Sequence, residues 1–586
     1  MARATRGLLA GILLLAAALR LLGIGFGLPY PYANVDEHIV TDRALGFLRG
    51  DLDPHYFAYP SLGFDLHALL AWLQFAVGWI GGRWGSLAEF RAACWVEPGV
   101  LLLPGRIFVA LLGVATAWAA GRAAAELARA LAPEGDAPPR RFVRRLAAPI
   151  GALAVATCLL HVSNSRTITV DIPCAFFGAL ALAHALRHAR GGRRSDLLLA
   201  ALHAGLAGSS KYYGALFALP VAAAALAAVP RAGARTLPGR LRSLAWAAAV
   251  TLAAFLATSP YVLLDAAAFR RDFAFLEQHM ESGHYGFDPA ANGALEYARI
   301  LASEQVGLAL LIPAALATLF LLTTPRARAA ALVLAVQPLL HFALIARFRA
   351  QPADYLLPLL PALAAATGAA VPLVATRLAA LAQPAGQRRV RLAVLAAFAL
   401  PLLWNARPSL EVGFTLRRPD TRVLFREWAE RTWPDGTKVA SDSWLELPLT
   451  RDCLDLIAAE RANPRPIPIR RGRDWPDEQF EALLAAARNS PPPVAFDYLR
   501  LLPRELDLGD ALLPMLRDAG FRWLVLNDIN IARTLRVRSQ YPARAALYES
   551  LQEGPWIIAR FPARPGDASG PTLLLCDLER VPKKEK

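Results

Sequence analysis

The sequence predicts a polytopic α-helical membrane protein with a small C-terminal extracytoplasmic α/β domain, and three observations carry that reading. Of its 586 residues, 55% are hydrophobic and only 19% charged, where soluble chains carry about a quarter charged. The apolar residues gather into runs between residue 7 and about residue 404, of a length that crosses a bilayer. The basic excess, a formal net charge of +16, falls in short segments between those runs.

The first run, 7–29, begins like a signal peptide but continues over about 20 apolar residues without a small-x-small cleavage site, so an uncleaved span is expected. Further spans are expected at 103–126, 146–162, 170–187, 196–210, 213–230, 242–259, 304–323, 328–346, 354–376 and 390–405, about eleven transmembrane helices in all. Arginines cluster in RRFVRR (140–145), RHARGGRR (187–194), RAGARTLPGRLR (231–242), PRAR (325–328) and QRRVR (387–391). All five segments occupy alternate loops, which places them and Met1 in the cytoplasm and argues against a nucleic-acid face. The protein is thus expected in the cytoplasmic (inner) membrane, with 1–406 as membrane domain and 407–586 outside.

Residues 61–82 are apolar, yet counting them as a span would move every later arginine loop outside. They are read instead as an amphipathic helix along the outer interface. The first outer loop, 30–102, is then far longer than a connection needs, and such loops usually serve function.

Beyond residue 407, TRVLFREWAERTW (421–433) has helical periodicity and PDGTKVASDSW turns into a strand. FRWLVLNDI, WIIARFPA and PTLLLCDLE read as strands and ARAALYESLQ as a helix, a small α/β domain. Residues 463–495, rich in proline, read as loop. The five cysteines show no metal or CxxC spacing, and Cys453 and Cys576 are expected as unrelated thiols.

Chemistry is expected where charge meets the outer ends of the spans. Asp36-Glu37 follow the first span and suit an N-terminal helix turn. They are followed by His38 and by LDPHYFAYPSL, an aromatic return to the membrane holding His55 and Tyr59 that could wall a cavity. A carboxylate there can accept a hydroxyl proton or hold a cation. Lys211 stands alone in GSSKYYG, and an isolated ionisable residue at membrane depth is a functional candidate. Arg347 and Arg349 flank the tenth span, where they serve equally as interfacial anchors. His284, on the outer loop 260–303, is a weaker candidate.

These residues lie in strings that resemble bacterial relatives of the protein O-mannosyltransferases and aminoarabinose transferases. The strings are DEHIVTDRALGFLRGDLDPHYFAYPSL, PGRIFVALLGVATAWAAGR, HVSNSRTITVDIPCAFFGALAL, GLAGSSKYYGALFALP, SPYVLLDAAAFRRDF and DYLLPLLPALAA, in that order along nearly the whole chain. The resemblance implies a C-type membrane glycosyltransferase fold and a polyprenyl-phosphate sugar donor. It implies Asp36 as the base for the acceptor hydroxyl, Glu37 as its neighbour, Asp171 as a second acidic position and Arg106 as a partner of the Asp36-Glu37 pair. It implies Tyr355 as a donor contact, and it draws Ser165-Arg166 towards the same cavity. Where the family has His-Pro-Pro or Lys-Pro-Pro this chain has Tyr59-Pro60-Ser61, with Ala58 in place of an acidic residue. Where the family has Arg-Tyr it has Asp354-Tyr355, which shifts the arginine role to Arg349 or Arg347.

The expected reaction is inverting sugar transfer at the outer membrane face, with Asp36 as base and Lys211, Arg347 and Arg349 on the lipid phosphate. The acceptor is a lipid, glycan or protein; no nucleic acid is involved. No cofactor is required by these residues, and a divalent metal is left open. The rival class is a lipid or sugar-lipid flippase, which would string polar residues through the bilayer centre.

Overall fold

The computed structural model describes residues 3–29, 34, 36–132, 138–227, 236–283, 285–443, 445–462, 476–489, 491–564 and 566–582. Its helices run α1 (Arg3–Leu21), α2 (Glu37–Leu48), α3 (Leu62–Ile80), α4 (Leu87–Val96), α5 (Gly99–Leu131), α6 (Pro138–Thr157), α7 (Leu159–Asn164), α8 (Asp171–Gly191) and α9 (Arg194–Ser210). A 3-10 turn, Tyr212–Phe217, leads into α10 (Ala218–Ala227), followed by α11 (Leu237–Thr258), α12 (Tyr261–Leu264), α13 (Ala266–Ser282), α14 (Gly293–Ala302), α15 (Leu308–Thr323) and α16 (Arg328–Ile345). A second 3-10 turn, Ala353–Leu359, opens α17 (Leu360–Ala379), and α18 (Gln387–Trp404) and α19 (Ala406–Leu416) lead to the C-terminal domain.

Each apolar run expected as a span meets a helix. Among the described residues eight helices, α3 included, are long and apolar enough to cross a membrane, and Tyr212–Ala227 and Leu308–Thr323 are shorter apolar helices. The bundle core is built on alanine and glycine because close helix approach, rather than side-chain bulk, drives packing where lipid offers no hydrophobic contrast. A Cβ on Gly368 of α17 would lie 2.5 Å from the Ala147 carbonyl oxygen and 2.7 Å from the Gly151 nitrogen of α6. One on Gly121 of α5 would lie 2.6 Å from the Ala148 carbonyl oxygen. Any larger residue at these positions forces the three helices apart.

The geometry of α3 agrees with a helix that does not cross. At its start the Ser61 N–H donates to Ser259 Oγ at 3.0 Å, beside the end of α11, and Gly63 abuts Val170 before α8. Towards its end Gln74 Nε2 donates to the Val100 carbonyl at 3.1 Å, at the start of α5. The following α4 pairs Arg91 with Glu478 of the C-terminal domain. Both ends of α3 therefore meet the same end of the bundle, while Leu69, Trp72, Val77 and Ile80 stay exposed along its length.

The C-terminal domain begins with α20 (Thr421–Thr432) and β1 (Thr437–Ser441), then α21 (Arg451–Ala462), α22 (Asp477–Asn489) and β2 (Phe496–Arg500). It continues with α23 (Pro503–Leu506), α24 (Leu512–Asp518), β3 (Trp523–Asn527), α25 (Asp528–Arg536), α26 (Pro542–Leu551), β4 (Ile557–Phe561) and β5 (Leu573–Asp577). The sheet order is β2-β1-β3-β5-β4, with β1 parallel to β2 and β3 and the rest antiparallel. One expectation is corrected: the loop read over 463–495 contains α22. Prolines on either side suggested a loop, but Phe480 and Leu484 form an apolar stripe that packs on Cys453, Leu454 and Ile457 of α21. All five cysteines are buried thiols, and among the described residues Cys453 and Cys576 form no disulfide.

Asp442, just past β1, is buried in this domain. Its Oδ2 accepts from the Tyr548 hydroxyl at 2.8 Å, while Oδ1 has no partner among the described residues. Burial pushes its carboxyl up to about 7. An acid with a raised folded pKa stabilises the fold fully at low pH and loses that contribution as pH rises through the folded value. The domain's thermal midpoint should therefore fall between about pH 4 and about pH 8 in wild type, and Asp442→Asn should flatten that slope in a calorimetric pH series.

Candidate active site

Four segments meet at the end of the bundle that carries the C-terminal domain: the start of α8, the α9–α10 link, loop 49–61 and the turn before α17. Lys211 terminates α9 in extended geometry (φ −151°, ψ 135°), which breaks the α-helix and sends its side chain inward. Its Nζ lies 2.8 Å from Asp171 Oδ1 and 3.4 Å from Asp354 Oδ2. The Tyr213 hydroxyl donates to the same Asp171 oxygen at 2.6 Å.

Three aromatic rings surround the ammonium. Its Nζ is 4.8 Å from the Tyr355 ring centroid, 4.9 Å from that of Tyr213 and 6.0 Å from that of Tyr59. Such a cage stabilises a cation that has lost most of its water. His341 fixes two of its walls, with Nε2 2.8 Å from the Tyr355 carbonyl oxygen and its ring edge-on to Tyr213 at 4.9 Å. The Tyr355 hydroxyl donates to Met280 Sδ at 3.3 Å.

Asp36 and Glu37 have opposite surroundings. Glu37 is fully buried and held by Arg106 through two bonds, Nε to Oε1 at 2.8 Å and Nη2 to Oε2 at 2.6 Å. It also accepts the Ile168 N–H at 3.0 Å. Arg106 spends its remaining donors on the carbonyls of Ile24, at 3.2 Å, and Phe26, at 2.7 Å. Asp36, one residue earlier, is exposed, and among the described residues no basic side chain pairs with it. Its charge bears on Tyr56, Tyr59 and Tyr355, two of which belong to the ring cage around Lys211.

Arg347 and Arg349 are exposed on the turn after α16 and have no carboxylate partner among the described residues. The Arg349 N–H donates to the Met280 carbonyl at 3.1 Å. Arg166 is buried elsewhere: its Nη2 donates to the Leu19 and Ser409 carbonyls, each at 2.6 Å, tying α1 to α19. His55 lies at the surface, its Nε2 3.0 Å from Asp51 Oδ2. With Asp53 and Asp265 it presents donor atoms that all lie within 4.8 Å of one another. Two carboxylates and an imidazole are a donor set that suits a divalent ion. His284 lies outside the described residues.

Three residues of this cluster were not singled out from sequence. Asp354 was noticed only as a departure from the family's Arg-Tyr pattern, Tyr213 only as part of GSSKYYG, and His341 not at all. The signal for Tyr213 was its place two residues after the lone lysine.

Residues 139–265, which contain Asp171, Lys211 and Tyr213, match the family model described as dolichyl-phosphate-mannose-protein mannosyltransferase. The chain is a membrane glycosyltransferase related to that family. Among curated proteins none matches it. Solved structures similar to it include ArnT from Cupriavidus metallidurans bound to undecaprenyl phosphate, at 16% identity and a TM-score of 0.46 over 98% of each chain. The same protein in its apo state gives 15% identity and a TM-score of 0.49, again over 98% of each chain. The Archaeoglobus fulgidus oligosaccharyltransferase in its apo form gives 12% and 0.48, over 93% of this chain and 72% of the other. With TM-scores below 0.5 these likenesses carry no inference about this glycosyltransferase.

The geometry makes Glu37 a structural anchor. Glu37→Gln leaves the buried Arg106 guanidinium without its counter-charge and should lower unfolding stability by roughly 3–5 kcal/mol. Glu37→Gln with Arg106→Met should recover much of that loss in thermal unfolding of the detergent-solubilised protein.

Proposed function

We propose that this membrane glycosyltransferase moves a sugar from a polyprenyl-phosphate donor to an acceptor hydroxyl, with inversion, at the membrane face bearing the C-terminal domain. In this reading 1–406 is the transferase domain and 407–586 lies outside the cytoplasmic membrane. The arginine-rich loops of the opposite bundle end support that orientation.

One observation supports the chemistry above all. An exposed carboxylate with no basic partner among the described residues, Asp36, bears electrostatically on Tyr59 and Tyr355 of the ring cage around the Lys211 ammonium, and two arginines without a carboxylate partner among the described residues stand on the turn before Tyr355. The acceptor O–H gives its proton to Asp36, and its oxygen attacks the anomeric carbon from the face opposite the phosphate. The bond from that carbon to the phosphate oxygen breaks, and the lipid phosphate leaves with one more negative charge than it brought. Arg347 and Arg349 meet that charge from the open side. Lys211 meets it by exchanging its longer contact, Asp354 at 3.4 Å, for a phosphate oxygen while Asp171 and Tyr213 keep it in place. Asp53, His55 and Asp265 would hold a divalent metal if one binds, and it would supply further positive charge beside the mouth.

The charged groups of the candidate site gather at one bundle end instead of being strung along the helices, which favours transfer over flipping. Two measurements test the reading. Asp36→Asn should lower the rate of sugar transfer by about 10²–10⁴, with undecaprenyl phosphate binding kept within about twofold. Equal release of lipid phosphate by wild type and variant removes Asp36 from the mechanism, and labelled lipid crossing vesicles without sugar transfer favours the flippase. Asp354→Asn should tighten undecaprenyl phosphate binding by about fivefold, because a competing anion is gone, and Lys211→Met should weaken it by more than about tenfold.

A further inference from the structure

The loop between α13 and α14 touches two parts of the molecule that the mechanism leaves separate. On one side it packs on the arginine turn. Met280 takes the Arg349 N–H on its carbonyl at 3.1 Å and the Tyr355 hydroxyl on its sulfur at 3.3 Å. At the two ends of the loop, a Cβ on Gly283 would lie 3.7 Å from Arg349 Cβ, and one on Gly293 would lie 2.5 Å from the Ala346 carbonyl oxygen. Met280, in the last turn of α13, and the glycines at the two ends of the loop therefore lie against residues 346–349.

On the other side the same loop meets the C-terminal domain through Tyr285. The Tyr285 hydroxyl donates to the Asn530 carbonyl at 2.9 Å and lies 2.6 Å from Thr534 Oγ1, both on α25. Its ring meets Tyr541 edge-on at 5.6 Å, with the Arg544 guanidinium 5.0 Å from its centroid. Arg544 is itself locked by Asp507 at 2.7 Å. The next residue, Gly286, has φ +92°, and a Cβ there would come within 3.0 Å of the Arg533 side chain. Only glycine lets the loop lie this close to α25 in that conformation.

We propose that Tyr285 is a positioning residue. It latches the α13–α14 loop to the C-terminal domain, and so holds Met280, Arg349 and Tyr355 in the arrangement that receives the lipid phosphate. The inference rests on the donor-site reading given above and assigns the domain a task in it: a rigid support for the α13–α14 side of the phosphate site. Ordering that side before the donor arrives lowers the cost of binding without touching the bond that breaks, so the latch acts on donor affinity.

Tyr285→Phe deletes the hydroxyl and keeps the ring against Tyr541 and Arg544; Thr534→Val removes the partner hydroxyl from the domain side. Both are made in the full chain in lipid nanodiscs. Three quantities are read: amide exchange over 276–292 and 346–355, binding of undecaprenyl phosphate alone, and KM and kcat for a polyprenyl-phosphate sugar. Expected for Tyr285→Phe are faster exchange in both segments, three- to tenfold weaker lipid phosphate binding, a matching rise in KM, and kcat within about twofold. The double variant should be little worse than the worse single one. Unchanged exchange and KM in Tyr285→Phe, or a fall in kcat at constant KM, overturns the latch. If wild type itself neither binds undecaprenyl phosphate nor transfers sugar, the donor reading fails, and the exchange measurement still decides whether Tyr285 holds the loop.

Discussion

The buried ion pair between Glu37 and Arg106 is the constraint from which the site follows. Two charges with no solvent exposure persist only because each is saturated: Glu37 by both guanidinium bonds and the Ile168 N–H, Arg106 by two further carbonyls. The carbonyls belong to the segment after α1 and the N–H to the segment before α8. One pair thus joins the first outer loop, the first helix, α5 and the approach to Asp171. Because Glu37 is the first residue of α2 and points inward, its neighbour Asp36 lies just outside the helix, at the surface. Adjacent carboxylates serve two purposes: the buried one fixes the loop and the exposed one is left free to act.

The bundle segregates its charges by end. Positive loops lie at one end, where Glu126 and Asp196 pair with Arg129, Arg190 and Arg187. At the other end every acidic and basic group of the candidate site is within reach of the membrane boundary. A lipid-linked substrate displays its polar head at that depth, and its tail needs only the apolar flanks of the helices. The partition of charge that orients the protein also decides where its chemistry can be.

Hydropathy and arginine placement made the helices legible, since an apolar run of sufficient length has few alternatives to a helix in lipid. For residues 61–82 the arginine loops are the signal that argues for an interfacial helix; composition alone makes α3 resemble a span. The loop reading of 463–495 fails at Asp477–Asn489, where proline punctuation on either side hides the short apolar stripe of α22; residues 463–475 lie outside the described residues. At the site, Asp36 and Lys211 stood out as charges in apolar company. Glu37 did not disclose its different role, because burial of one of two adjacent carboxylates is a tertiary outcome. The contact of Asp354 with Lys211 and the place of His341 are not legible in the sequence, because they depend on how the turn before α17 meets α8 and α16, and no local pattern encodes that.

Asp354 also explains why the exposed arginines matter. Around Lys211 two carboxylates face one ammonium, so the caged lysine has no surplus charge to offer a phosphate. A departing lipid phosphate would meet net repulsion there unless cations arrive from outside the cage. Arg347 and Arg349, unpaired among the described residues and one turn of chain away from Asp354, are placed to supply them. The acid that occupies the usual arginine position and the arginines that precede it thus form one compensated unit. In the proposed mechanism the lysine, held by Asp171 and Tyr213, fixes where the phosphate ends while the arginines make its arrival favourable. That division of labour requires the turn carrying the arginines to be held still, and the end of α13, the start of α14 and the loop between them pack against residues 346–349.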